Sequence, residues 1–207
     1  MACFLLGTVT ALMLGLFFPT AWMFQAESGR NDVQQSVMLV AHRLRSALLN
    51  TAAEWVTLVP DGSAVSMREI NDQSPFEPIS GSPQFRQRFL LFGYEAAARR
   101  VTTRFWPPAP PVAGDMEKTY DFSSPQLGPL TPSDALEIMA TPSAGEWKVV
   151  AHHVVEFSVY DQDPASPLLT PPIQVKVRCQ LTNPGPGKRK QEEFELNLAV
   201  TPRCQRW

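Results

Sequence analysis

From Ile173 to Thr182 the chain alternates without exception: Ile173, Val175, Val177, Cys179 and Leu181 stand between Gln174, Lys176, Arg178, Gln180 and Thr182. Phe194, Leu196, Leu198 and Val200 do the same against Glu195, Asn197, Ala199 and Thr201. A strand points successive side chains to opposite faces, so each run predicts a strand with one apolar face and one wet face. The connecting NPGPGKRKQEE has turn chemistry, which predicts an antiparallel hairpin. Such a sheet needs an apolar cover over one face and not the other.

The first candidate cover lies near the other end of the chain. In ESGRNDVQQSVMLVAHRLRSALLN, the apolar residues Val33, Val37, Val40, Leu44 and Leu48 recur at three- and four-residue steps, which is one stripe of an amphipathic helix. Gly29, Asn31 and Asp32 leave open a break into two helices, since Asp and Asn cap helices and Gly is poor inside them. The stripe of Val37, Val40, Leu44 and Leu48 and the strand faces are the best-matched apolar surfaces in this part of the chain. They are expected to pack together.

Residues 1–25 carry no charged side chain at all. A cleaved signal needs a basic start, a shorter apolar run and small residues at the cut. Here no Lys or Arg precedes Arg30, and Trp22, Met23 and Phe24 stand where small residues should be. The segment is therefore read as a membrane span, for which about 20 apolar residues suffice. Trp22 suits the interfacial zone, and Pro19 bends the helix without ending it.

The remainder reads as strands and turns. Twenty prolines, clustered in FWPPAPPVAG and DPASPLLTPP, argue for many turns and against further long helices. WVTLVPDGSAVSMREI predicts a hairpin about Pro60–Ser63, and FRQRFLLFGYEAAARRVTTRFW a second, with Ala96–Ala98 readable as strand or helical turn. TPSDALEIMA predicts a short helix capped by Thr131, and EWKVVAHHVVEFSVYD predicts a single strand. Setting the opening helix aside leaves roughly 150 residues, enough for one head domain.

Chemistry is hard to find in this sequence. His152 and His153 are adjacent on a strand and point to opposite faces, and Glu156, Asp161 and Asp163 lack the spacing of a calcium loop. Cys3, Cys179 and Cys204 are too far apart for a zinc site, and the hairpin puts Cys179 and Cys204 at different levels, which disfavours a bridge. Lys188, Arg189 and Lys190 are followed by Glu192 and Glu193, the composition of a solubilising loop; no phosphate loop, nucleophile elbow or zincin motif is present. A net charge of -2 supplies no general pull toward nucleic acid. No cofactor, metal or catalytic residue is expected.

The apolar start CFLLGTVTALMLGLFFP, its continuation VMLVAHRLRSALLNTA and the closing VVEFSVYD, PPIQVKVRCQL and FELNLAVTPR together resemble the pilin-like family, the minor pilins of type IV pili and minor pseudopilins of type II secretion systems. The resemblance implies an α+β fold in which a long N-terminal helix, transmembrane in one half and amphipathic in the other, packs on an antiparallel sheet. The boundaries would be 1–25 for the transmembrane stem, 26–53 for the amphipathic helix and 54–207 for the β-rich head. It implies a non-enzymatic subunit in the bacterial inner membrane with its head outside the cytoplasm. Phe4, Leu5, Leu6, Leu12, Leu14, Leu16, Phe17, Pro19 and Trp22 would form the membrane and assembly stem. The partners implied are other pilin-like subunits met through that helix, an inner-membrane assembly platform and membrane lipid; the net charge makes nucleic acid an unlikely partner. The basic leader, Gly, aromatic residue and Glu of the family's precursors do not stand before Met1, so Met1 is expected to be an internal residue of the stem. The other reading is a single-pass envelope protein that binds a ligand or acts as a scaffold without polymerising.

Overall fold

The computed structural model describes residues 2–71, 75–79, 81–107, 128–141, 147–163, 169–183 and 190–202, with only the backbone of some positions among 2–26, 182, 183, 190 and 191. Helix α1 is assigned over Ala2–Leu49, with side chains described continuously from Glu27. It runs through Gly29, Asn31 and Asp32 without a break, and Gly29 is buried. Strands β1 (Val56–Leu58) and β2 (Ala64–Met67) form the first hairpin, and β3 (Phe89–Glu95) and β4 (Arg100–Trp106) the second. Helix α2 (Pro132–Ala140) follows, then β5 (Lys148–His152), β6 (Val154–Tyr160), β7 (Ile173–Asn183) and β8 (Lys190–Val200).

Two antiparallel sheets result, one in the order β1-β2-β3-β4-β5 and the other β6-β7-β8. The central strands β2, β3 and β4 of the five-stranded sheet are buried on both faces. Along β3, Leu90 and Phe92 face a core shared with α1 and the second sheet, while Phe89 and Leu91 face a second core beneath α2. Central strands covered on both sides lose the apolar–polar alternation that marks a one-sided sheet, which is why FLLF reads as a continuous apolar run. Gly93 lets α2 lie close, because a Cβ there would stand 1.5 Å from the Met139 methyl.

The three-stranded sheet keeps the one-sided pattern. Ile173, Val175, Val177 and Cys179 are buried on one face, and Glu193, Glu195 and Asn197 are exposed on the other. Ile173 pairs with Val200 and Cys179 with Phe194. The apolar face meets α1, whose Val33, Val37, Val40, Leu44 and Leu48 are each no more than 1% exposed, in a core that also holds Phe157, Val175, Val177 and Val200. Two backbone bonds tie the sheets together: Val159 N–H donates to the Gly62 carbonyl at 3.0 Å, and Val154 N–H to that of Arg99 at 2.9 Å. Gly62 sits at φ +73 in the β1–β2 turn, with Ser158 and Val159 too near to admit a side chain comfortably.

The expected α+β, pilin-like arrangement, a half-transmembrane helix on one antiparallel sheet, is not what the chain forms. It is mostly β, in two sheets, and no helix among the described residues is long and apolar enough to cross a membrane. The first difference falls at His153. EWKVVAHHVVEFSVYD is two strands, because His153 adopts φ +62, a left-handed backbone that a strand cannot continue through, and β5 and β6 on either side of it join different sheets. The second concerns the opening stretch, where most side chains of residues 1–25 lie outside the described residues.

Candidate assembly surface on the long helix

With 3.6 residues per turn, the head takes one side of α1, and what remains is the side turned away from it. Positions 13, 17, 24 and 38 fall together on that outer side, opposite Val33, Val37, Val40 and Leu44. They carry Met13, Phe17, Phe24 and Met38, which are 69%, 75%, 75% and 53% exposed. Between residues 27 and 35 the outer side is polar, with Glu27, Asn31, Gln34 and Gln35 exposed. There are accordingly two apolar patches. One comprises Met13, Phe17 and Phe24, and on the other side of the same turns Phe18 and Met23 are also exposed; the other is Met38 with Leu39, bordered by the exposed His42, Arg43 and Arg45.

Of the residues named from the sequence, Val37, Val40, Leu44 and Leu48 are fully buried between α1 and the sheets. Phe17 is exposed on the outer side, whereas the side chains of Phe4, Leu5, Leu6, Leu12, Leu14, Leu16, Pro19 and Trp22 lie outside the described residues. The sequence pattern does not mark Met13, Met38 and Leu39, and marks Phe24 only as too large for a cleavage site. The seven-residue step from Phe17 to Phe24 and the fourteen-residue step to Met38 were the available signal, since both return to nearly the same side of a helix.

Elsewhere the ionisable groups are structural. His152 and His153 are exposed with ring centroids 6.5 Å apart, and no group of three His, Cys, Asp or Glu capable of holding a metal occurs among the described residues. Asp161 accepts the Thr170 N–H with both carboxylate oxygens, at 2.9 and 2.7 Å, and so closes the β6–β7 connection. Cys179 is a free, buried thiol that burial pushes up to about 12, far from the range of a nucleophile; Cys204 lies outside the described residues. On the wet face of β6-β7-β8, Lys176 Nζ meets Glu156 at 2.7 Å, and Arg178 meets Glu156 at 3.1 Å and Glu193 at 3.3 Å. The hydrogen bond from Lys176 holds the Glu156 carboxyl below its ordinary range, and the charges of Lys176 and Arg178 act in the same direction. Lys188 and Arg189 lie outside the described residues, and Lys190 opens β8.

Buried cations also serve packing. Arg104, 1% exposed, donates from Nη1 to the carbonyls of Ile138 (2.6 Å) and Thr141 (3.0 Å) at the C-terminal end of α2, with its guanidinium 4.6 Å from the Trp147 ring centroid. Arg68 lies 4.6 Å from the Trp55 ring centroid and donates from Nε to the Arg86 carbonyl. This chemistry holds elements in place and leaves α1 with a large unassigned apolar surface among the described residues. Comparison of the chain with protein-family models, curated proteins and solved structures finds no match.

Proposed function

We propose that this chain is a non-enzymatic structural subunit of a pilus-like or type II secretion-like filament, assembled through α1. The observation that carries this reading is the exposure of Met13, Phe17, Phe18, Met23 and Phe24 on the part of α1 that precedes its buried stripe. Monomeric proteins rarely leave several large apolar side chains together in water, and such patches mark surfaces that another body covers. A helix whose second half lies under its own head and whose first half is apolar and uncovered can join neighbours without disturbing the head. The partners proposed are other subunits of the same kind, an assembly platform in the bacterial inner membrane, and lipid around residues 1–25. Its head would lie outside the cytoplasm. This location rests on the uncharged sequence of residues 1–25.

The test is self-association of the full chain in a mild non-ionic detergent, followed by sedimentation velocity. Phe24→Glu is expected to reduce association to monomer, with Leu136→Glu on exposed α2 surface as the control. A chain that stays monomeric at every concentration would sink the filament reading in favour of an anchored envelope protein that binds without polymerising.

A further inference from the structure

We draw no further inference here: the strongest candidate, the exposed pair Phe76 and Ile79 on the hairpin-like loop after β2, is flanked by Arg86 paired with Glu69 at 3.7 Å, so charge selects no partner for it, and nothing in the structure shows what covers it.

Discussion

Leu44 and Arg43 are chain neighbours on α1 with opposite environments, the first 0% exposed in the core and the second exposed to solvent. Leu44→Asp places an unpaired charge among Val175, Val177 and Val200 and should lower stability by about 4 kcal/mol, whereas Arg43→Asp should change it by less than about 0.5 kcal/mol. Thermal melting of the full chain checks this, and equal melting points would show that the stripe is not under the head. His153 is a second single-residue decision. Its φ of +62 suits glycine better than any β-branched residue. His153→Gly should therefore keep or raise stability, while His153→Val should cost about 1–2 kcal/mol in urea titration. Matching midpoints for Gly and Val would mean that the turn tolerates a β-region backbone at this position.

At the scale of elements, α2 shows how local and distant groups share one task. Its N-terminus is capped locally: Asp134 N–H donates to Thr131 Oγ1 at 3.2 Å, and the Thr131 hydroxyl donates back to the Asp134 carboxylate at 2.7 Å. The opposite end depends on Arg104, whose positive charge meets the negative end of the helix dipole. Thr131→Ala should cost about 1 kcal/mol and Arg104→Met about 3 kcal/mol, because the second removes charge-assisted bonds from buried carbonyls. Denaturant melts give the magnitudes, and hydrogen exchange across α2 gives the place. A larger loss from the Thr131 change would reverse this ranking. The cap was legible in TPSD as a sequence pattern. Arg104 was not, since its partner carbonyls lie 34 and 37 residues further on.

For the whole molecule, stability should fall toward both ends of the pH scale for separate reasons. Glu156, held low by Lys176, and Asp61, held low by the Ser63 hydroxyl, favour folding while ionised. Their contribution is present above the unfolded values of 4.5 and 3.8 and is lost as pH falls through the depressed folded values. Cys179 acts in the opposite range. Its neutral thiol is favoured when folded, so stability declines from pH 9.0, where the unfolded thiol ionises, up to about 12. The slope from this one group cannot exceed about 1.4 kcal/mol per pH unit. Cys179→Ala should remove that part of the alkaline loss, and Glu156→Gln part of the acid loss, in urea midpoints measured across pH. Unchanged profiles would mean that other groups govern both limbs.

Local periodicity was enough to find the three hairpins at 56–67, 89–106 and 173–200, the capped helix after Thr131 and the buried stripe on α1, because each depends on neighbours within a few residues. The assignment of strands to sheets was not local. VVAHHVVEF carries uninterrupted strand propensity, and only the backbone bonds of Val154 to Arg99 and Val159 to Gly62 decide that the chain turns at His153 and leaves one sheet for another. The outer patches were hidden for a related reason. Phe24, Met38, Phe76 and Ile79 are apolar in any reading, but their exposure follows from which faces the rest of the chain has already covered. Composition and spacing therefore determine what each element can bury; the tertiary structure alone decides what is left uncovered, because burial depends on contacts between residues far apart in the chain.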